Sequence, residues 1–336
     1  MSVHLSPDAR SFRRRPAAVR HLSDLFITGG KMDIAVIGSN MVDLITYTNS
    51  FPKAGETLEA PDFAIGCGGK GANQAVAAAK LGGEVMLVSK VGDDLFAPTT
   101  LANLQQQGVD TRYVTTEKGV SSGVAPIFVD DQSQNRILII KGANQHLKPA
   151  DIDAAGDALK RCRLIILQLE IPLETVYYAI DFARQHDIRV ILNPAPAVAD
   201  LDIRYACQCD FFMPNETELE ILTGMPVGTD DDVRLAGASL LKRGLKNLIV
   251  TLGSRGSLWM TGETQHQVAP VPVKAVDTSG AGDAFIGCFA HELVKTGDIP
   301  AAMAKASAYA ACSVTARGTQ RSYPDTAEFQ RFLDFQ

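Results

Sequence analysis

The apolar residues of the chain fall into short runs that are separated by segments of helical length. The run Ile34–Ile37 ends at Gly38, an Ala-rich segment of helical length covers 73–81, and a second apolar run follows at 85–89. Later apolar runs occupy 164–169, 190–192, 211–213 and 248–252. Short apolar runs that alternate with helices predict repeated βαβ units. Such units form a parallel sheet with helices on both faces, so the sequence predicts an α/β fold.

Residues 43–65 and 121–141 depart from this alternation. Both stretches are rich in β-forming residues and contain no segment of helical length. They predict small antiparallel strands. A small β appendage over one edge of the large sheet would be suited to act as a lid.

The first 31 residues differ in composition from the rest of the chain. They contain six Arg or Lys residues against two Asp and sustain no apolar period. We therefore predict a flexible basic leader at 1–31, followed by one domain at 32–336. An Arg-rich, acid-poor start is typical of a transit peptide, but an extension upstream of an alternative start at Met32 explains it more simply.

Composition and charge narrow the class of function. With 46% hydrophobic and 21% charged residues, the chain is typical of a globular protein in water. Its 32 basic and 38 acidic residues give a net charge of −6, which provides no electrostatic surface for nucleic acid. No apolar run approaches the roughly 20 residues that a membrane span needs. A small-molecule partner is therefore expected, with no nucleic acid and no membrane.

The six cysteines are scattered in apolar contexts, and only Cys207 and Cys209 are close in sequence. This spacing lacks the paired C-x-x-C knuckles or the His partners of a zinc site. Reduced, packed thiols are expected, and they indicate a cytoplasmic protein.

The most informative motif is the segment 277–283, DTSGAGD, which precedes an apolar stretch of helical length. Small residues before a helix leave the backbone N–H groups of Gly280, Ala281 and Gly282 exposed at the positive end of the helix dipole, where an anion is favoured. A carboxylate at Asp283 would lie beside that anion and could accept a proton from an attacking hydroxyl. An acidic residue in a first helical turn also occurs without any function, because it stabilises the helix.

The segment 66–73, GCGGKGAN, fits the loose G-x-G-x-x-G pattern of dinucleotide-binding proteins. It follows the β-rich stretch rather than the first strand, and the chain contains no G-K-[ST] of a P-loop, so neither fingerprint holds. Glycines that flank Lys70 and Asn73 would let the backbone approach a polyol. The alternative is an ordinary strand-to-helix turn.

Two more turns follow apolar runs. Asn215 and Glu218 have the spacing of a helix capping box, and Thr251 leads into a Gly turn at 253–256. Ligands of open parallel sheets bind beyond the carboxyl ends of the strands. Both turns are therefore candidate ligand contacts. The alternatives are an ordinary helix cap for the first turn and an ordinary hairpin turn for the second.

Together these segments resemble the PfkB family of carbohydrate kinases. The segment 66–73 is similar to the first signature of the family and 277–283 to the second, with Asn215 and Glu218 between them as expected. The resemblance extends from Met32 to about residue 324 and is closest to the ribokinases and deoxyribokinases of the family. It implies a ribokinase-like three-layer sandwich with a mainly parallel central sheet and a small β-sheet lid.

The resemblance also implies a role for each matching residue. Asp283 would be the catalytic base, with the amides of Gly280, Ala281 and Gly282 as the anion hole. The sugar would be held by Asp43, Gly69, Lys70, Asn73 and Glu170. The ATP site would be lined by Asn215, Thr251, Gly253, Gly256 and Ser307. Glu218 would help to place Mg²⁺. A potassium site would use Asp277, Ser279, Ser313, Ala316, Gly318 and Ser322. Relatives pair their lids across a dimer, so a homodimer through the β-lid is expected.

Position 41 departs from the ribokinase pattern. Ribokinases usually carry Gly-Ser-x-Asn-x-Asp after the first strand, whereas here Met41 stands between Ser39 and Asp43 at the Asn position. In ribokinases that Asn faces the hydroxyl edge of the sugar near C2. An apolar Met41 suits a sugar that lacks the 2-hydroxyl, unless the position has drifted and a polar neighbour or water compensates.

The expected activity is the ATP-dependent phosphorylation of the 5-hydroxyl of 2-deoxy-D-ribose. The alternatives are a kinase acting on D-ribose or another sugar or nucleoside kinase of the family. An NAD-dependent dehydrogenase would leave the segment 277–283 unexplained. A non-catalytic sugar sensor on a kinase fold would have no use for an intact Asp283.

Overall fold

A computed structural model describes residues 32–130 and 135–335, so the leader predicted at 1–31 lies outside the described residues. Within these ranges, nine strands form one large sheet. They are β1 (Ile34–Ile37), β4 (Val85–Gly92), β5 (Asp110–Glu117), β8 (Leu164–Leu167), β9 (Arg189–Leu192), β10 (Phe211–Phe212), β11 (Leu248–Thr251), β12 (Ser257–Met260) and β13 (Gln265–Val268). Their spatial order is β13-β12-β11-β10-β9-β8-β1-β4-β5.

The central strands of this sheet are parallel and buried. Strand β1 lies between β4 and β8, and Ile34 is in register with both Val85 and Leu164. All four residues of β1 are fully buried, as expected for a strand covered by helices on both faces. The pairs β11–β12 and β12–β13 are antiparallel. The predicted α/β fold with a mainly parallel sheet is confirmed.

Helices cover both faces of the large sheet and complete the three layers. In chain order they are α1 (Lys70–Lys80), α2 (Ala97–Gln106), α3 (Pro149–Leu159), α4 (Leu173–Gln185), α5 (Ile203–Ala206), α6 (Glu216–Thr223), α7 (Asp230–Lys242), α8 (Ala281–Thr296), α9 (Ile299–Ser313) and α10 (Thr326–Asp334). Helices α3, α4, α6 and α7 pack against one face, and α1, α8, α9 and α10 pack against the other. No described helix combines the length and the apolar character that a membrane span requires.

Four further strands of the described chain form a separate small sheet. They are β2 (Met41–Tyr47), β3 (Asp62–Gly68), β6 (Gly123–Val129) and β7 (Asn135–Ile137), in the order β3-β2-β6-β7. The outer pairs are antiparallel, as predicted within each of the two β-rich stretches, but the central pair β2–β6, which joins the stretches, is parallel and departs from that prediction. Strands β2 and β6 follow β1 and β5, which run in the same direction in the large sheet. Local alternation reveals a strand but not the direction of a partner that is distant in sequence.

Candidate active site

A cavity of about 160 Å³ lies beyond the carboxyl ends of the parallel strands. Its wall contains eight residues that the sequence predicted to act together, namely Lys70, Asn215, Glu218, Thr251, Gly280, Ala281, Gly282 and Asp283. These residues come from the start of α1, from the segments after β10 and β11, and from the start of α8. Their convergence follows from the topology, because the carboxyl ends of parallel strands meet at one edge of the sheet.

Asp283 is held at the start of α8 by two side-chain amides. Its carboxyl group is buried in the first helical turn. Asn73 Nδ2 donates to Asp283 Oδ2 at 2.9 Å, and Gln74 Nε2 donates to Asp283 Oδ1 at 2.9 Å. Each carboxylate oxygen therefore has one donor and keeps lone pairs for a proton from a third group.

The turn before α8 requires glycine at position 280. Gly280 has φ of 74°, and a Cβ there would lie 2.6 Å from the Tyr323 hydroxyl, which donates to the Gly280 carbonyl. The N–H groups of Gly280 and Gly282 have no acceptor within the described residues. The Ala281 N–H differs from expectation, because it donates to the Thr278 carbonyl at 3.3 Å. Two of the three predicted amides are thus available to an anion at this helix start.

Glu170 and Lys70 lie together at the start of α1. Glu170 Oε2 accepts hydrogen bonds from Ser39 Oγ at 2.5 Å and from the backbone N–H of Lys70 at 2.9 Å. Burial alone would lower the pKa of the Lys70 ammonium, but the carboxylates of Asp283, Glu170 and Glu218 raise it above its usual value. Lys70 therefore stays charged at neutral pH.

Asp43 lies on β2 in the small sheet and is 5% exposed. Burial raises its pKa to about 6; a hydrogen bond from Thr319 opposes the rise, and the charges of Glu170 and Asp283 add to it. Asp43 lines two clefts of about 470 and 620 Å³, both of which lie between the small sheet and the 317–319 loop. The carboxyl group thus faces the space between the small sheet and the 317–319 loop.

Met41 and Gly69 are close neighbours at the base of the small sheet. Met41 is 2% exposed and is in register with Gly68 and Gly123. Side chains alternate along a strand, so Met41 and Asp43 share one face of β2. Gly69 has φ of 89°, and a Cβ there would lie 2.9 Å from the Met41 nitrogen. Met41 is not part of the wall of any of the three cavities described here.

Asn215 and Glu218 form the capping box that their spacing predicts. Asn215 Oδ1 accepts from the Glu218 N–H at 2.8 Å, and Glu218 Oε2 accepts from the Asn215 N–H at 2.8 Å. Burial raises the pKa of Glu218. The cap does not exclude a ligand role, because Asn215 and Thr251 pair in an isolated parallel bridge at the wall of the 160 Å³ cavity.

The remaining residues predicted for ATP lie further along the same edge. Gly253 is the first residue of a tight 3₁₀ turn in the β11–β12 hairpin and Gly256 follows the turn, with φ of 52° and 89°. Ser307 lies on α9, and its hydroxyl is 3.4 Å from the Ser257 hydroxyl. These three residues are outside the wall of the 160 Å³ cavity.

Five of the six residues predicted for potassium lie on two loops that Asp277 holds together, and Ser313 is the last residue of α9. Asp277 Oδ1 accepts from the Ser279 N–H at 2.9 Å, and Asp277 Oδ2 accepts from the Gly318 N–H at 2.8 Å. Burial opposes ionisation, but these hydrogen bonds and the charge of Arg317 lower the pKa of Asp277 below its usual value. Ser313, Ala316 and Ser322 follow in and after the end of α9. Ser322 Oγ donates to the Thr319 carbonyl at 2.9 Å.

Four polar residues of the site were not predicted as site residues. Gln74 and Gln320 contact Asp283 and Asn73, Ser39 contacts Glu170, and Thr319 contacts Asp43. Single amides and hydroxyls have no spacing of their own that would mark them as site residues. Gln74 could have been noticed only because it directly follows Asn73 in the sequence.

Comparison with known proteins identifies relatives over nearly the whole described chain. A model of the pfkB family of carbohydrate kinases matches residues 31–326. A deoxyribokinase of Salmonella typhi is 64% identical over 302 residues, which cover 90% of this chain and 99% of that protein. A ribokinase of Mus musculus is 40% identical over 300 residues, which cover 87% of this chain and 91% of that protein.

Solved structures with a similar fold also include ribokinases. The solved structure of an Arabidopsis thaliana ribokinase complexed with ribose and ATP matches with a TM-score of 0.85 and 30% identity, over 91% of this chain and all of that chain. The family match, the sequence relatives and the structural relative agree with the resemblance that the two signatures carry. The chain therefore belongs to the pfkB family of carbohydrate kinases.

Proposed function

We propose that the chain transfers the γ-phosphoryl group of ATP to the 5-hydroxyl of 2-deoxy-D-ribose, with deoxyribose 5-phosphate as the product. One observation carries the phosphoryl-transfer chemistry. Asp283 is aimed by Asn73 and Gln74 at the edge of a cavity that Lys70 and the start of α8 also line. The deoxyribokinase that is 64% identical supports deoxyribose as the sugar.

In the proposed reaction the oxygen of the sugar's 5-hydroxyl attacks the γ-phosphorus, and Asp283 accepts the proton of that hydroxyl. The new O–P bond forms while the bond from the γ-phosphorus to the leaving ADP oxygen breaks. Negative charge on the transferring group would be stabilised by the Lys70 ammonium and by the N–H groups of Gly280 and Gly282. The Ala281 N–H would join them if its bond to the Thr278 carbonyl opened.

Mg²⁺ would enter with ATP. Glu218 fits a role in placing it, because one carboxylate oxygen is used by the capping box and the other is free to face the cavity. No cluster of three or more acidic, His or Cys side chains in residues 32–130 and 135–335 could hold a metal ion alone. Mg²⁺ commonly uses one or two carboxylates together with substrate phosphates and water, so Glu218 together with ATP would suffice. Asn215, Thr251, Gly253, Gly256 and Ser307 would line the nucleotide site.

The sugar would lie between Asp43 of the small sheet and Asp283 of the large domain. Glu170, Lys70, Asn73 and the Gly69 backbone would supply its other polar contacts. Met41 is buried outside the walls of the three cavities, but it is two residues from Asp43 on the same face of β2. A sugar held by Asp43 would therefore have the Met41 side chain as an apolar wall at C2. An apolar wall costs nothing with a 2-deoxy sugar and leaves a 2-hydroxyl without a partner.

A monovalent cation, K⁺, would bind between the loops that Asp277 joins. Asp277 supplies negative charge, and the carbonyls of Ser279, Ser313, Ala316 and Gly318 and the Ser322 hydroxyl supply oxygen atoms of the kind K⁺ takes. The loops lead directly into the start of α8, so a bound cation would stabilise the anion hole.

The small sheet would also pair two copies of the chain. Its β3 strand exposes Phe63 and Ile65 at 54% and 50%, and Leu138 next to β7 is 63% exposed. Exposed apolar patches of this kind mark interaction surfaces. A Leu138→Asp variant should lower the mass that light scattering measures if the lid forms the dimer, whereas Leu235→Asp on α7 should not.

The six cysteines are free thiols within the described chain, which supports the proposed cytoplasmic location. The activity is tested by ADP release over a pentose panel. Phosphorus NMR of the product then locates the new ester. Release that depends on 2-deoxyribose and a phosphate on O5 would support the proposal; release independent of any pentose would refute it.

A further inference from the structure

We infer that Gln74 and Gln320 are positioning residues for the catalytic base, each in an arm of side-chain amides that ends on one oxygen of Asp283. The inference rests on the proposed role of Asp283 as the base. It means that two glutamines which would not contact the substrate affect kcat.

The first arm reaches Asp283 Oδ1 from the end of β8. Gln168 Nε2 donates to Gln74 Oε1 at 2.5 Å, and Gln74 Nε2 donates to Asp283 Oδ1 at 2.9 Å. Gln74 also donates to Asn193 Oδ1 at 3.3 Å, and Asn193 Nδ2 donates to the Met213 carbonyl at 2.8 Å. Gln74 and Gln168 are fully buried.

The second arm reaches Asp283 Oδ2 from α2. Asn103 Nδ2 donates to Gln320 Oε1 at 2.6 Å, and Gln320 Nε2 donates to Asn73 Oδ1 at 2.9 Å. Asn73 Nδ2 then donates to Asp283 Oδ2 at 2.9 Å. Gln320 is 3% exposed and Asn73 is 5% exposed, so water does not replace these bonds cheaply.

In both arms each successive amide nitrogen donates a hydrogen bond in the direction of Asp283. A carboxamide offers acceptor lone pairs on oxygen and donors on nitrogen. A donor at the far end of each arm therefore fixes the oxygen of the next amide and turns its nitrogen toward Asp283. If Gln320 did not occupy Asn73 Oδ1, Asn73 could rotate and present its oxygen to the carboxylate, which would repel it.

This arrangement holds a buried base in one orientation. Donors on both oxygens fix the plane of the Asp283 carboxylate relative to the start of α8, and proton transfer depends on that geometry. Bonds in a chain of this kind strengthen one another, so loss of a remote amide should affect turnover.

The test compares Gln74→Met and Gln320→Met with Gln105→Met. Gln105 is an exposed amide of α2 that donates to Thr111 and lies outside both arms. Loss of a hydrogen bond to a charged group predicts that Gln74→Met lowers kcat about tenfold or more, with a loss of roughly threefold to tenfold for Gln320→Met. KM for sugar and ATP should stay within about twofold of wild type, and Gln105→Met should match wild type. A kcat within twofold of wild type for both arm variants, or losses confined to KM, would overturn the inference.

A double-mutant cycle separates positioning from a general loss of packing. If Gln320 acts through Asn73, the Gln320→Met change should cost almost nothing further in an Asn73→Leu background. Independent, multiplicative losses would count against the second arm.

Asn103→Ala opens the same arm at its half-buried end, where folding is least at risk. It should lower kcat about twofold to threefold without changing the unfolding midpoint by more than a degree or two, and an unchanged kcat would count against the arm. Wild-type turnover over the pentose panel tests the proposed function. The ratio of variant to wild-type turnover on the best sugar tests the two arms separately from it.

Discussion

Thr319 Oγ1 lies 3.3 Å from Asp43 Oδ2 and 3.1 Å from the Cys67 carbonyl oxygen, so one hydroxyl connects the loop after α9 to two strands of the small sheet. Asp43 and Thr319 also line the same two clefts. The contact joins Asp43, which we propose to bind the sugar, to the loop that carries Gly318. Binding of the sugar and order in the proposed cation site should therefore affect each other.

The burial of Asp43 predicts how stability depends on pH. Its pKa of about 6 in the folded protein, against 3.8 for the ordinary side chain, means that folding takes up a proton between these values. The contribution of Asp43 to stability therefore falls as pH rises through this window, by an amount of order 3 kcal/mol. Asp43→Asn removes the ionisation. Its stability advantage, measured by urea unfolding without sugar, should be small at pH 4, grow as pH rises and level off above about pH 6.5.

The control for that experiment is Asp62→Asn, which makes the same change at the exposed end of β3. An advantage of Asp43→Asn that is the same at pH 4 and pH 7.5 would show that desolvation does not set the Asp43 titration.

Two glycines of β3 should respond very differently to an added methyl group. A Cβ at Gly68 would lie 2.2 Å from Asp43 Oδ1, whereas at Gly66 its closest neighbour would be Asp43 Cβ at 3.5 Å. Gly68→Ala should displace the Asp43 carboxyl and raise KM for the sugar about tenfold, with a loss of roughly 1–3 kcal/mol in stability. Gly66→Ala is the matched control and should change either quantity little. Equal KM values for the two variants would remove Asp43 from the sugar site.

The sequence predicts the fold well where the signal is local. The apolar runs identified the parallel strands β1, β4, β8, β9, β10 and β11, but they missed the parallel edge strand β5. The capping box of Asn215 and Glu218 forms as its spacing indicates. Helix α1 begins at Lys70 rather than at 73, because Gly69 with its positive φ ends β3 so sharply that the helix starts at once. The parallel pairing of β2 with β6 depends on contacts distant in sequence, which no local pattern contains.

The site residues that could be predicted were those that match the sequence signatures of the family. Lys70, Glu218 and Asp283 lie together as the resemblance implies. The amides of Gln74 and Gln320 were missed because their role depends on which way each carboxamide is turned by its neighbours. That orientation exists only once α1, α2 and the loop after α9 are packed together.

Replacement of the proposed base separates chemistry from binding. Asp283→Asn keeps the shape of the side chain but removes the proton acceptor, so kcat should fall by about 10²–10⁴. Affinity for the sugar, measured by calorimetry, should change much less. A loss of under fivefold in kcat would exclude Asp283 as the base.

The cation proposal predicts an effect of the ion itself rather than of ionic strength. K⁺ should activate turnover relative to a large organic cation at equal ionic strength, because an ordered pair of loops completes the anion hole. Asp277→Asn should weaken this activation, since it removes the negative charge between the loops. Equal rates in the two salts for the wild-type protein would refute the site.

The most direct test of the proposed activity is the ratio of kcat/KM for 2-deoxy-D-ribose to that for D-ribose, in wild type, Met41→Asn and Met41→Leu. Wild type should prefer deoxyribose, although an apolar wall discriminates against an added hydroxyl by only about 10². Met41→Asn should lower the ratio about tenfold or more, because deoxyribose leaves the new amide unpaired at roughly 1–3 kcal/mol. Met41→Leu keeps the wall apolar and should keep the preference. A wild-type preference for D-ribose, or a ratio unchanged by Met41→Asn, would contradict the account.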